Sequence, residues 1–177
     1  MEPRPAVFFD RDGTLMEEVH YCADPGLVRA VPGAAEMLRR LTAGGFLCVI
    51  ITNQSGIGRG MFTLAQYEAV QAELLRQLGG AIAATYMCPD LDSPRRKPET
   101  GMVLEAVRDL RIDPARSWFV GDKPADIECG FRAGTRTILV ETGYGQQYDG
   151  KIKPDFGAKN VVEAGALILQ NRDASGF

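Results

Sequence analysis

The sequence predicts an α/β protein built on a mostly parallel sheet, on three observations. Apolar runs of strand length alternate with stretches of helical periodicity along the chain, the pattern of βαβ units with right-handed crossovers. The strand-length runs are continuously apolar, as in Phe46-Leu47-Cys48-Val49-Ile50-Ile51, so both faces of the sheet are covered. Polar segments rich in Asp, Gly and Thr follow directly on several of these runs. In open parallel sheets, ligands sit beyond the carboxyl ends of the strands.

Each element has its own warrant. Ala6-Val7-Phe8-Phe9 is the first strand, and an irregular Pro- and Gly-containing stretch leads from it to Gly33. Met37, Leu38 and Leu41 recur at helical spacing, and Gly44-Gly45 ends that helix. Phe46 to Ile51 is the second strand, bounded by Thr52-Asn53-Gln54-Ser55-Gly56. Thr63 caps a helix that carries Leu64, Tyr67, Val70, Leu74, Leu75 and Leu78 along one face. Ala83 to Cys88 reads as a short third strand, followed by a helix from about Thr100 to Leu110. Trp118-Phe119-Val120 is the fourth strand, and a helix from about Ala125 to Ala133 leads to the fifth, Thr137-Ile138-Leu139-Val140. A last helix covers Val161 to Gln170, with 172–177 expected to fray. There is no internal repeat, low-complexity tract or linker, and 177 residues suit a single domain over 1–177.

Composition narrows the chemistry. Lys and Arg number 20 against 23 Asp and Glu, a net charge of −3, which excludes a nucleic-acid binder that relies on a broad basic face. The single histidine, His20, cannot supply a two-histidine metal site, and a Ser-His-Asp triad would depend on it alone. Cys22, Cys48, Cys88 and Cys129 are scattered, with no Cys-x-x-Cys pair, as expected of reduced thiols in a reducing compartment. The N-terminal segment lacks the pattern of a signal peptide, and no apolar run approaches the roughly 20 residues that span a bilayer. The expectation is a cytoplasmic protein with no membrane or nucleic-acid partner.

The polar segments after the strands carry the candidate chemistry. In Asp10-Arg11-Asp12-Gly13-Thr14 two carboxylates stand two residues apart at a strand exit. If both face one crevice, their like charges call for a cation; the alternative is a turn with Gly13 at its bend. Thr52-Asn53-Gln54-Ser55-Gly56 offers a hydroxyl and backbone N–H groups to a phosphate oxygen, or is simply a polar turn. Arg59 is either an anion-steering residue or a solvated one. Arg95-Arg96-Lys97 places three cations before a helix, where a lysine can neutralise a phosphoryl group; the alternative is a solvated basic loop. Gly121-Asp122-Lys123-Pro124-Ala125-Asp126 adds a carboxylate at the fourth strand exit and another at a helix N-terminus, where an acid also favours the helix dipole.

Taken in order, Asp10-x-Asp12-Gly13-Thr14, Thr52-Asn53, Lys97-Pro98 and Gly121-Asp122-x-x-x-Asp126 resemble the four motifs of the haloacid dehalogenase (HAD) superfamily of phosphatases, over roughly residues 6–142. The resemblance implies a Rossmann-like three-layer fold, with Asp10 as the nucleophile that forms an aspartyl-phosphate and Asp12 as general acid and then base. It implies Mg²⁺ held by Asp10, the backbone carbonyl of Asp12, and Asp122. Thr52 and Lys97 would hold the phosphoryl oxygens, and Asp126 would orient Lys97 or a metal-bound water.

The longer stretches Asp10 to Thr14, Thr52 to Thr63 and Arg96-Lys97-Pro98-x-x-Gly101-Met102 are similar to the branch of heptose-bisphosphate and histidinol-phosphate phosphatases. This implies a small phosphorylated metabolite as partner: first a sugar bisphosphate, dephosphorylated at the 7-position of a heptose, with histidinol phosphate or another small phosphomonoester as the alternative. Glu18, His20 and Tyr21, together with Thr52, Asn53, Gln54, Ser55 and Lys97, would contact substrate, and Arg96 would meet its remote phosphate or sugar. That branch usually carries a Cys-x-His and Cys-x-Cys zinc loop before Arg-Lys-Pro; here only Cys88 stands in it, so no structural Zn²⁺ is expected. The stretches between Leu15 and Gly33 and between Leu78 and Arg95 are too short for a cap domain, leaving an open site on a monomer or small homo-oligomer. A non-catalytic phosphoacceptor module is disfavoured because Asp12, Lys97 and Asp122 are all present, and a nucleic-acid end phosphatase is disfavoured by the charge.

Overall fold

The computed structural model describes residues 2–174. Six strands form one sheet: β1 (Ala6–Phe9), β2 (Leu47–Asn53), β3 (Ile82–Cys88), β4 (Trp118–Gly121), β5 (Arg136–Val140) and β6 (Phe156–Ala158). They are all parallel, in the order β3-β2-β1-β4-β5-β6. The helices are α1 (Ala34–Ala43), α2 (Ser55–Gly58), α3 (Leu64–Gln77), α4 (Gly101–Leu110), α5 (Pro124–Arg132) and α6 (Val161–Ala174). The chain builds outward from β1 to β3, then returns to the other side of β1 to lay down β4 to β6. The switch point therefore lies between β1 and β4, the crevice where such sheets bind ligands.

β1 shows why the strands are apolar throughout. Val7 and Phe9 pack on one face with residues of α1, α3 and α6, among them Leu38, Val70, Leu74 and Ile168. Ala6 and Phe8 pack on the other with Met102, Val103 and Ala106 of α4 and Cys129 of α5. Residues alternate between faces at period two, and each face is covered by helices, giving three layers. The predicted cap of α3 is present as a capping box between Thr63 and Gln66, although Leu64 in its first turn is exposed rather than on the buried face.

Three elements differ from expectation. β6 is three residues with a central glycine, Phe156-Gly157-Ala158, and has no apolar run to announce it. The single turn α2 is Ser-Gly-Ile-Gly, a composition that disfavours helix in isolation. The last helix runs through Ala174 rather than ending at Gln170, and Arg172 there donates to the Gly44 carbonyl at 2.8 Å; the end of the frayed stretch expected over 172–177 lies outside the described residues. The loops between β1 and α1 and between β3 and α4 hold no inserted domain. No described helix is long and apolar enough to cross a membrane.

Candidate active site

Four strand exits converge at the switch point. Asp10 follows β1, with its N–H donating to the Val120 carbonyl of β4 at 3.0 Å. Lys97, from the loop after β3, is buried and uses all three ammonium protons: to Asp10 Oδ1 at 2.8 Å, Asp126 Oδ1 at 2.7 Å and the Ile51 carbonyl at 2.8 Å. The other oxygen of Asp126 accepts the Lys123 N–H at 3.0 Å, so this acid at the start of α5 caps the helix and fixes the lysine together. Gly121 permits that approach, since a Cβ there would collide with the Asp126 side chain.

Asp122 is fully buried. Its Oδ2 accepts the Tyr144 N–H at 2.8 Å, while its Oδ1 is buried with no hydrogen-bond partner. Two glycine turns press against it: Gly13 at φ +82° and Gly143 at φ +59°, positions where a Cβ would meet the Asp122 carboxylate. Asp10, Asp122 and Asp126 bring carboxylate oxygens within 4.8 Å of one another.

The charges follow from this crowding. Burial raises the Asp10 carboxyl, but the ammonium charges of Lys97 and Lys123 outweigh it and hold it below the usual carboxylate range. Burial and the charges of Asp10 and Asp126 push Asp122 up to about 8, outweighing the Lys123 charge and the Tyr144 N–H, which favour its ionised form. Burial works against charge on Lys97, yet Asp10 and Asp126 hold it firmly protonated.

Asp12 accepts from the Arg11 guanidinium at both oxygens, each at 3.0 Å, and from Gln54 Nε2 at 2.9 Å. It stands where two clefts meet. The smaller, about 50 Å³, is lined by Asp10, Asp12, Asn53, Lys97, Lys123, Ala125 and Asp126. The larger, about 270 Å³, is lined by Asp12, Glu18, His20, Tyr21, Gln54, Ser55, Lys123 and Tyr144 among others.

Most of the expected residues thus gather at the crevice, with distinct placements. Glu18, His20, Tyr21 and Ser55 line the larger cleft. Thr52 is fully buried, its hydroxyl accepting from Gln54 Nε2 at 2.8 Å. Asn53 spends its amide on the backbone of Lys97. Of the three cations before α4, only Lys97 turns inward: Arg95 forms a bidentate pair with Glu105, and Arg96 donates to the Asp90 carbonyl at 3.2 Å, outside the lining of both clefts. Arg59 is exposed and lines neither. Cys88 is buried, as are the other three cysteines, and all four are unpaired.

Sequence reasoning missed three residues. Lys123 lines both clefts, 3.6 Å from Glu18 and 4.9 Å from the Tyr144 ring centroid; it stood beside Asp122 in a motif already singled out. Tyr144 sits just past the exit of β5, where the strand-end rule applied to the other strands would have found it. Arg11 lies between the two aspartates, in a motif whose reading gave it no role of its own.

A Rossmann-like parallel sheet with carboxylates and one buried lysine at its switch point places the protein in the HAD-like class. The family model for HAD-hydrolase-like proteins matches residues 94–164. The chain is 37% identical to the D-glycero-D-manno-heptose-1,7-bisphosphate 7-phosphatase of Thermosynechococcus vestitus, over 92% of this chain and 94% of that one. It is 35% identical to the D-glycero-beta-D-manno-heptose-1,7-bisphosphate 7-phosphatase of Pasteurella multocida, over 93% and 97%. Among solved structures, the D,D-heptose 1,7-bisphosphate phosphatase of B. bronchiseptica, complexed with magnesium and phosphate, superposes with a TM-score of 0.87 at 30% identity, over 94% and 99% of the two chains. The chain belongs to the HAD superfamily of phosphatases, within the family of D-glycero-D-manno-heptose-1,7-bisphosphate 7-phosphatases.

Proposed function

We propose that the protein hydrolyses D-glycero-D-manno-heptose 1,7-bisphosphate at its 7-phosphate. The observation that carries this reading is the pair of clefts joined at Asp12, one lined by Asp10 and Lys97 and the other large enough for a polar leaving group. The names of the relatives supply the sugar. In this reading Asp10, ionised and held by Lys97, attacks phosphorus. The P–O bond to the sugar breaks, its electron pair stays on the sugar oxygen, and Asp12 delivers a proton there. Asp12 then takes a proton from the water that hydrolyses the aspartyl-phosphate. The Lys97 charge draws the phosphoryl oxygens into the smaller cleft, and Asp126 keeps Lys97 in place. Thr52 lines neither cleft and meets a phosphoryl oxygen once Gln54 releases its hydroxyl.

A hard divalent cation fits the residues present. The buried, unpartnered Asp122 Oδ1 and the neighbouring Asp10 and Asp126 oxygens form an all-oxygen donor set. Asp10, Asp122 and the Asp12 backbone carbonyl would hold Mg²⁺, which when bound neutralises charge on the phosphoryl group. Glu18, His20, Tyr21, Asn53, Gln54 and Ser55 face the sugar, and Arg96, released from the Asp90 carbonyl, reaches the remote phosphate. Buried, unpaired cysteines support a reducing, cytoplasmic setting.

The test is kcat/KM across both anomers of the heptose bisphosphate, fructose bisphosphate and histidinol phosphate. One heptose anomer should stand out; if no substrate does so by about tenfold, roughly 1.4 kcal/mol, the substrate assignment fails. Asp10→Asn should abolish phosphate release in a folded protein, and chelation should silence the enzyme until Mg²⁺ is restored. Retained turnover in either case refutes the corresponding role.

A further inference from the structure

We propose that Arg11 is a positioning residue for proton delivery: its guanidinium, seated on Tyr67, sets the Asp12 carboxyl at the junction of the two clefts. The inference rests on the reading of Asp12 as the proton donor, and deepens it.

Arg11 is 1% exposed and lines neither cleft. It therefore acts on bound substrate only through a neighbour, and Asp12 is the neighbour it engages. Nε donates to Oδ2 and Nη2 to Oδ1, both at 3.0 Å. Two parallel bonds from a rigid fork fix the plane of a carboxylate as well as its distance, which a lysine cannot do. Gln54 adds a third constraint, donating to Oδ2 at 2.9 Å and to the Thr52 hydroxyl at 2.8 Å. Asp12 is thereby anchored to the end of β2 as well as to the turn after β1.

The fork itself is held. Its Cζ lies 5.2 Å from the centroid of the Tyr67 ring, on the buried face of α3, a cation–π seat. The Arg11 carbonyl accepts from the N–H groups of Thr14, Leu15 and Met16, which tightens the turn that lets residues 11 and 12 face each other. α3 thus reaches the chemistry without touching substrate.

The arrangement is poorly explained by stability alone. Arg11 Nη1 is buried without a hydrogen-bond partner, and desolvating a guanidinium that is incompletely paired is unfavourable where an apolar chain would fill the same space. What the arginine adds is orientation. When the bond from phosphorus to the sugar oxygen breaks, the electron pair stays on that oxygen and the Asp12 proton must reach it within hydrogen-bond distance. Small displacements of such a group are expensive in rate.

The experiment exploits leaving-group dependence. An alkyl phosphate, the sugar bisphosphate, needs a proton on its leaving oxygen, whereas p-nitrophenyl phosphate departs without one. Asp12→Asn, Arg11→Met, Arg11→Lys and Tyr67→Leu are compared with the wild type on both substrates, with folding verified by cooperative thermal unfolding. Arg11→Met should lose about 10- to 100-fold more kcat/KM, which reports the step that expels the leaving group and not the later hydrolysis of the aspartyl-phosphate, on the sugar bisphosphate than on p-nitrophenyl phosphate. Arg11→Lys should recover only part of this, and Tyr67→Leu should lose about fivefold with the same selectivity. Should neither Arg11 variant fold, Tyr67→Leu decides. Equal losses on both substrates in the Arg11 and Tyr67 variants, while Asp12→Asn remains selective, overturn the role of Arg11 alone. Absence of selectivity in Asp12→Asn overturns the proton-donor reading, and this inference with it.

Discussion

The side chain of Asn53 closes a two-bond ring with the backbone of Lys97: Oδ1 accepts the Lys97 N–H and Nδ2 donates to the Lys97 carbonyl, both at 3.0 Å. The last residue of β2 thereby fixes a loop from the far side of β3, 44 positions away in sequence. From that anchor the lysine side chain turns under β2 to the Ile51 carbonyl and out to Asp10 and Asp126. Asparagine suits this place because its amide is at once donor and acceptor, matching the backbone it faces.

Asn53→Ala should therefore damage activity through Lys97. It leaves a part-buried N–H and carbonyl unpaired, for about 1–3 kcal/mol of stability, and lets the ammonium drift, for about a tenfold or greater loss in kcat/KM. Urea unfolding and steady-state kinetics measure both. Full activity in the variant would mean that the loop holds Lys97 unaided.

Lys97→Met should be far more severe. The ammonium bridges Asp10 and Asp126 at 2.8 and 2.7 Å, with every partner nearly inaccessible. Removing it leaves buried carboxylates unpaired, a loss of about 3–5 kcal/mol, and about 10²–10³ in kcat/KM. Lys97→Arg should not rescue, because three acceptors converge on one compact ammonium and a planar fork cannot meet them. An active Lys97→Arg enzyme would contradict this geometry.

These contrasts bear on what the sequence could reveal. Asp10 and Asp122 were legible because strand exits are set by apolar runs, and runs are local, whereas Lys97 was singled out by its motif resemblance and not by the pattern of the chain. Which of Arg95, Arg96 and Lys97 points inward was not legible, since Glu105 and the Asp90 carbonyl, which engage the two arginines, are chosen by the tertiary fold. Asn53 and Gln54 line the larger cleft as expected of substrate contacts, but their amides also pair with Lys97, Asp12 and Thr52, pairings that neither composition nor periodicity encodes. β6 escaped notice for the opposite reason. Three residues are too few for any period, and only pairing with β5 makes Phe156–Ala158 a strand.

Gly143 offers a test of the carboxylate cluster itself. Its φ of +59° is open to alanine only at a cost, and a Cβ would also press on Asp122 and on the Gly13 backbone. Gly134 has φ +78° but open space around its missing Cβ. Both alanine variants should lose about 1 kcal/mol from backbone strain. Only Gly143→Ala should weaken Mg²⁺ binding, by about tenfold or more, as read by calorimetric titration. Equal affinities in the two variants would show that the 143 turn does not shape the Asp122 site.

Asp122 also predicts how stability responds to pH. Its ordinary value is 3.8, and burial followed by the charges of Asp10 and Asp126 pushes it up to about 8 in the folded protein. Between those limits the folded state keeps a proton that the unfolded chain has released. The unfolded state then binds fewer protons, so this group's contribution makes the fold less stable as pH rises, by at most about 1.4 kcal/mol per pH unit. Below pH 3.8 both states are protonated and the contribution is flat. Asp122→Asn removes the titrating group while keeping its size. In metal-free protein, the variant should gain stability relative to wild type steadily from pH 5 to 8, followed by urea unfolding at each pH. Saturating Mg²⁺ should reverse the wild-type trend, since the cation binds the carboxylate form and competes with the proton. Parallel stability curves for wild type and variant in chelator would mean that Asp122 is already ionised at pH 5, and that Lys123 and the Tyr144 N–H suffice to keep it so.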